Sequence, residues 1–443
     1  MASAQCRGPD LLRFDALLDT VQRSVARIRD ARQAAKVRYS LRDCYLSALA
    51  MFYLQDPSLL EFQRRFQDQL QSNNLSTTFG VSAIPADSQF RDLLDRHGCE
   101  PLLDCYGEWI ERLHGSSYLQ EYQVLDGRYL ITLDGSQYFT SEHIHCERCL
   151  RTTKGGSVRY HHQILQAAIV CPDKRQVLPL APEFIRNSDH DDGGAGAKAQ
   201  DCELNAAHRA VQRIRGDHPR LPAIIVADSL YSNGPFIERL RAARLSFLLV
   251  AKPKDHRSLY EDVEGLRRGQ LLDHRSRTDR TGARHEYEWV TELPLNGRPD
   301  SPLINFVEYR IVRGEKTTYH NAWVTDLVPS AANVAELVRA ARARWKIENE
   351  GFNTLKNHGY HLEHNFGHGS KHLSETFFVL NLLAFFMHQI FELVDGLYQS
   401  VRAGFSSRRE FWNIIRATFR IFIFRSWDQV LVRMNSPPQP LPS

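Results

Sequence analysis

Ala223-Ile-Ile-Val-Ala-Asp228 is the stretch on which the fold class turns. A short uninterrupted apolar run between turn residues suits a strand buried on both faces, the kind found in sheets covered by helices. Its carboxylate end places Asp228 at the rim of such a sheet. Upstream, Arg128-Tyr-Leu-Ile-Thr-Leu-Asp134 reads as a short apolar strand ending in Asp134, with Gly135 next. Tyr160–Val170 and Gln176–Leu180 read as two further strands. Asp201–Arg215 reads as a helix with Leu204, Ala207, His208 and Val211 on one face. Pro235–Arg244 then predicts a helix and Ser246–Ala251 a strand. The order β-β-β-α-β-α-β predicts an α/β fold with a sheet of mixed direction.

Outward from that core the rhythm changes. Residues 262–325 lose the α/β alternation. His285-Glu-Tyr-Glu-Trp-Val-Thr291 and Asn305-Phe-Val-Glu-Tyr-Arg-Ile311 alternate as strands, with turn candidates at Asn296-Gly297 and Arg313-Gly314. This is a β-rich insertion between a first core part, 121–261, and a helical remainder, 326–396. Residues 1–120 read as helical, and 397–443 as a basic C-terminal region with a loose Pro-rich tail. The strongest apolar run, Phe377–Met387, falls short of the about 20 residues a membrane span needs and reads as a buried helix. The N-terminus has no signal-peptide pattern, so the expected location is cytoplasmic, with no membrane partner.

The chain has 56 Lys+Arg against 52 Asp+Glu, a net charge of +4, so its global balance says little about nucleic acid. The distribution says more. Arg23, Arg27, Arg29, Arg32, Lys36, Arg38 and Arg42 face one intervening acid, Asp30, and the C-terminal region is rich in arginine. Arg27, Lys36 and Arg38 are therefore candidates for DNA phosphate contacts.

Three acids stand out by position: Asp134 and Asp228 at strand ends, and Glu348 on the helix after the insertion. Singly, each has an ordinary explanation as a turn former, a helix cap or a solvated glutamate. Brought together they would repel, unless a divalent cation sits between them. Hard oxygen ligands suit two Mg²⁺ or Mn²⁺ ions of the kind that cut phosphodiesters. Arg344 lies one helical turn before Glu348, where a guanidinium can hold a phosphate.

Ala341-Arg-Ala-Arg-Trp-Lys-Ile-Glu348-Asn-Glu-Gly-Phe352-Asn-Thr-Leu-Lys356 resembles the signature Tyr-x2-Arg-x3-Glu-x6-Lys of the DDE transposases of bacterial insertion sequences. Arg344 and Glu348 match its spacing. Ala341 stands at the Tyr position, and the lysine falls one residue late, at Lys356. A π-bulge near Gly351, or the reach of the long side chain, would accommodate the delay. The resemblance implies an RNase H-like core and catalytic Asp134, Asp228 and Glu348. It implies cleavage at the ends of a transposable element and strand transfer into target DNA. Double-stranded DNA would be the partner, held by Arg344 and Lys356 and bound by a homodimer. Rival readings are a metal-dependent nuclease without strand transfer, and a catalytically inactive DNA-binding derivative.

A second constellation is His143-Ile-His145-Cys146-Glu-Arg-Cys149, followed by His161-His162. Cys146 and Cys149 with the histidine pair twelve residues on, His161 and His162, make a candidate structural Zn²⁺ site; His143 or His145 could supply the fourth ligand beside His161 instead. Asp201 and Glu203, opening a helix, are reserve candidates for metal ligation. Asp189–Asp192 is a second acidic cluster, and His358, His361, His364 and His368 form a histidine-rich stretch.

Overall fold

The computed structural model describes residues 8–33, 37–66, 74–186 and 201–436. The core strands are β1 (Arg128–Ser141), β2 (Leu150–Lys154), β3 (Ser157–Val170), β4 (Ala223–Ala227) and β5 (Ser246–Val250). β4 is buried along its whole length, as its uninterrupted apolar sequence requires. It lies parallel to β1, with Tyr129 opposite Ala223 and Thr132 opposite Val226. β5 is parallel on its other edge, and β3 runs antiparallel to β1. The short strands Leu178–Pro179 and Glu183–Ile185 pair with β3 beyond. This is the mixed sheet of an RNase H-like core.

β1 differs from the expected strand in length. It runs on to Ser141, so Asp134 lies mid-strand rather than at its end. The physical rim is nevertheless there. Parallel pairing with β4 stops at Thr132, while β1 continues on β3 alone, with Asp134 opposite Gln166. One edge of β1 is thus open from Asp134 onward, next to the point where β4 ends and Asp228 begins.

The insertion is a meander of β6 (Asp273–Thr278), β7 (Arg284–Pro294), β8 (Leu303–Arg313) and β9 (Lys316–Thr325). Gly314 turns the last hairpin at φ +58°, a conformation that favours glycine. β9 pairs antiparallel with β5, Trp323 opposite Val250, so the meander prolongs the core sheet.

Helices cover both the sheet and one another. The N-terminal region holds α1 (Phe14–Ala26), α2 (Leu41–Tyr53), α3 (Leu59–Phe66), α4 (Asp87–Arg96) and α5 (Asp104–Gly115). The core adds α6 (Glu203–Asp217), α7 (Gly234–Ala242), α8 (Arg257–Arg268), α9 (Val334–Arg342) and α10 (Asn353–Asn357). After these come α11 (Leu373–Val394), α12 (Gly396–Ala403), α13 (Arg408–Ile421) and α14 (Trp427–Asn435). Among the described residues, α11 alone is long and apolar enough to cross a membrane, and it is buried inside the fold. α2 and α4 pack on it from the N-terminal side. Asp95, at the end of α4, accepts hydrogen bonds from the backbone N–H groups of Ser370, Lys371, His372 and Leu373 at 2.9–3.0 Å. It thereby satisfies two of the donors that the start of α11 leaves open, at the cap His372 and at Leu373, and two more on the approach to it.

Candidate active site

The acids are delivered by three different elements. β1 carries Asp134. Asp228 follows the last residue of β4, where its Oδ1 accepts from the backbone N–H of Leu230 at 2.8 Å and shapes the turn. Glu348 comes from the helical stretch after the insertion. That stretch is not one regular helix: α9 ends at Arg342, a π-helical segment spans Ile347–Phe352, and α10 follows directly. Glu348 sits inside the π segment, which also includes Gly351.

Asp134 registers its neighbours electrostatically. Burial pushes its carboxyl up to about 7, with Glu348, Glu203 and Asp228 adding to the rise and Arg344 opposing it. One guanidinium thus opposes, at Asp134, the combined effect of burial and three neighbouring carboxylates, and burial with the excess negative charge wins. The four do not close on a single point. Among the described residues, the His, Cys, Asp and Glu ligand atoms that gather within 4.8 Å of one another are those of a Cys–His group elsewhere. Hard oxygen donors with uncompensated charge suit divalent cations such as Mg²⁺ or Mn²⁺.

Glu203, a reserve candidate by sequence, belongs with these acids. It opens α6 and accepts from the Tyr231 hydroxyl at 2.6 Å and from Gln163 Nε2 at 3.2 Å. Its carboxyl is raised by burial, which the Tyr231 bond counters and Asp228 reinforces. Gly135 makes this approach feasible: a Cβ there would lie 2.1 Å from Glu203 Oε2. Asp201 is spent elsewhere, on Arg209 at 2.9 Å.

Arg344 donates from Nη1 to Glu348 Oε1 at 2.9 Å and lies 4.5 Å over the ring of Trp345. It is 8% exposed, whereas Trp345 is 48% exposed. A buried guanidinium beside an exposed indole can meet both a phosphate and a base. Lys356 is paired with Glu363 at 2.8 Å. A π-turn absorbs one residue, so eight positions from Glu348 act as about seven, nearly two full helical turns.

The expected phosphate contacts in the N-terminal stretch fare differently. Arg27 binds Asp104 at 2.7 Å and the carbonyl of Pro101 at 2.8 Å. Arg23 is tied to Asp19 and Glu108, and Arg42 to the carbonyl of Gly80. Acids from α5, distant in sequence, neutralise much of a run that looks uniformly basic. Arg38 is exposed, with its guanidinium 5.3 Å from the Tyr39 ring. Lys36 and Asp189–Asp192 lie outside the described residues. A cleft of about 710 Å³ beside the π segment gathers Arg175, His358, His361, Arg402 and Arg409. It joins the histidine-rich stretch to the C-terminal arginines.

The Cys–His group comprises Cys146, Cys149, His162 and His368. The histidine of the pair that reaches the thiols is His162, not His161. Successive strand side chains point to opposite faces, so facing His162 inward turns its neighbour away. His143 and His145 are not members either; His145 stacks on Tyr160 at 4.2 Å. His368, from far along the chain, completes the set.

No curated protein matches the chain. Residues 195–387 match the family described as the transposase DDE domain, a span that includes Asp228 and Glu348 but begins after Asp134. The match falls on the α/β frame and the third-acid helix described above, so this part of the chain is similar to a transposase DDE domain and is consistent with a DDE transposase.

Proposed function

We propose that this transposase cuts DNA at element ends and joins the freed 3′-hydroxyl to target DNA, with Asp134, Asp228 and Glu348 as its catalytic carboxylates. The arrangement that supports this reading is Asp134 on the open edge of β1, beside the end of the parallel β4 where Asp228 follows, with Glu348 and Glu203 near enough to add to the rise that burial gives its carboxyl. A buried carboxyl pushed up in this way, as at Asp134, is a poor design for stability and a suitable one for binding cations. Asp134, Asp228 and Glu348 would hold two Mg²⁺ or Mn²⁺ ions, with Glu203 within reach of the same charge. Bound there, such ions supply Lewis-acid activation of an attacking oxygen and neutralise charge on the phosphodiester.

The chain's own groups do the rest. Arg344, fixed by Glu348 and Trp345, grips a phosphate oxygen beside the acids. The cleft lined by Arg175, His358, His361, Arg402 and Arg409 receives the flanking backbone of double-stranded DNA. Lys356 exchanges Glu363 for DNA when the duplex arrives. Two copies pair two ends. Asp134→Asn, Asp228→Asn and Glu348→Gln should each reduce Mg²⁺-dependent cleavage of element-end DNA below detection while leaving DNA binding within about twofold of wild type. Near-normal cleavage by Asp228→Asn would remove it from the catalytic set. A strand-transfer assay with pre-cut ends separates a transposase from a nuclease on the same core.

A further inference from the structure

We propose that Cys146, Cys149, His162 and His368 form a closed, tetrahedral Zn²⁺ site that fastens the segment following the third acid to the hairpin following the first. The geometry of the four ligand atoms carries it. Zinc bonds of about 2.3 Å to sulfur and about 2.05 Å to nitrogen set the edges of a tetrahedron at about 3.8 Å for S–S, about 3.6 Å for S–N and about 3.3 Å for N–N. The corresponding separations are 3.8 Å for Cys146 Sγ–Cys149 Sγ and 3.5 Å from each thiol to His162 Nε2. Cys149 Sγ–His368 Nε2 is 3.4 Å, and the two Nε2 atoms are 3.1 Å apart. A disulfide would bring the sulfurs to about 2.05 Å, so these thiols are not bonded to each other.

The surroundings are those of a ligand set. His368 Nδ1 lies 2.7 Å from the carbonyl of Gly369; donating its proton there leaves Nε2 with a lone pair turned to the thiols. The two Nε2 atoms then face each other at a separation that lone pairs tolerate only with a proton or a cation between them. Cys149 Sγ accepts from the backbone N–H of Cys146 at 3.4 Å, a bond that suits a thiolate. Cys149, His162 and His368 are buried, under Tyr138 stacked on His162 at 5.6 Å and Phe139 on His368 at 4.4 Å. Four protein ligands leave no position for water or substrate, which marks a structural rather than a catalytic metal.

The ligands come from two parts of the chain. Cys146, Cys149 and His162 belong to the loop and strand after β1, and His368 lies 206 residues beyond His162, between α10 and α11. Two contacts hold the same pieces from outside the cluster. Arg148, between the cysteines, binds the buried Glu375 of α11 at 2.7 Å, and Asp95 holds the backbone at 370–373.

The test uses the full chain, purified without chelator and dialysed against buffer free of added metal. Elemental analysis should find about one zinc per chain. Cys146→Ser and His368→Ala should each retain less than a tenth of that, while Cys202→Ser, which changes an exposed cysteine elsewhere, should keep it all. Cobalt exchanged into the wild-type chain should give the intense visible bands of tetrahedral coordination with thiolate charge transfer. Neither wild-type readout needs a variant to fold. Wild-type protein with less than a tenth of an equivalent of zinc, protein carrying iron with an iron–sulfur spectrum, or zinc kept by both ligand variants would each overturn the assignment. No readout involves DNA cleavage, so the outcome is independent of the acids.

Discussion

The acid rim and the Cys–His cluster share two pieces of chain, β1 with its following hairpin and the stretch from Arg344 to the start of α11, to which the acids add Asp228 after β4 and Glu203 of α6. They differ in almost every other respect. The acids stand apart on an open edge, where burial and then its neighbours push the first carboxyl up to about 7. The thiols and imidazoles already lie at the spacing of a filled tetrahedron. One cluster is hard, charged and open, and the other soft, buried and closed. The lesson is that neighbouring ends of one junction differ in kind: the thiols and imidazoles already satisfy a ligand geometry, whereas the acids stand apart with their charge uncompensated.

The strongest way to sharpen that contrast is through pH. Asp134 must lose its proton to hold a cation, so affinity for Mn²⁺ should rise about tenfold per pH unit below about 7 and level off above it. Titration calorimetry from pH 5.5 to 7.5 would measure it, and a flat profile would break the link between Asp134 and the cation. Stability carries the opposite sign. The unfolded carboxyl ionises near 3.9 and the folded one at about 7, so the cation-free chain loses stability as pH rises across that window. Asp134→Asn should therefore raise the melting temperature of the cation-free protein at pH 8.

A smaller effect separates Arg344 from Lys356. Arg344→Ala removes a charge-assisted contact worth roughly 1.5–3 kcal/mol, so cleavage should fall by about ten- to a hundredfold. Lys356→Ala, already satisfied by Glu363, should weaken end binding only about two- to fivefold and leave the cleavage rate of bound complex unchanged. Equal losses in both would mean that the π segment positions the lysine as closely as the arginine.

Next comes the outer fastening. Burial alone would raise the Asp95 carboxyl, but four backbone N–H bonds hold it down to about 2. Its contribution is therefore complete above the unfolded value near 3.9 and disappears as pH falls through about 2. Asp95→Ala should cost about 0.5–2 kcal/mol at pH 7, as loss of a helix cap does, and the difference from wild type should close between about pH 4 and 2 in urea unfolding. The smallest effect concerns salt. Arg38→Ala should reduce the slope of log binding against log salt by at most about one, and Arg27→Ala should leave it unchanged, because Arg27 is committed to Asp104 and Pro101.

The strands and helices of the core were legible because their signals are local. Ala223–Ala227 announces a buried strand by composition, and the delayed Lys356 pointed to an irregular turn where a π segment lies. What escaped depends on partners far away in sequence. The length of β1 beyond Asp134 is set by β3, not by its own residues. Glu203 enters the acid group because Gly135 leaves room for it. His368 is invisible as a ligand until the fold returns it to the Cys146–Cys149 loop. The basic run around Arg27 lost its apparent charge to Asp104 and Glu108, which no window on that run contains.

α11 has a consequence for modularity. Phe391 on this helix meets Phe14 and Tyr53 from the N-terminal region, and Tyr53 in turn packs on Trp412 and Trp427 of the C-terminal region. Tyr106 of α5 donates its hydroxyl to the carbonyl of Val379 at 3.0 Å. The two ends of the chain therefore share one aromatic interior with the element that follows the third acid. A recombinant fragment beginning at residue 121 would expose that interior to water, and a foreign segment grafted in place of residues 1–120 would have to rebuild it. Variation in the N-terminal region would then proceed by substitutions on the surface of its helices, because the helices themselves are not detachable parts.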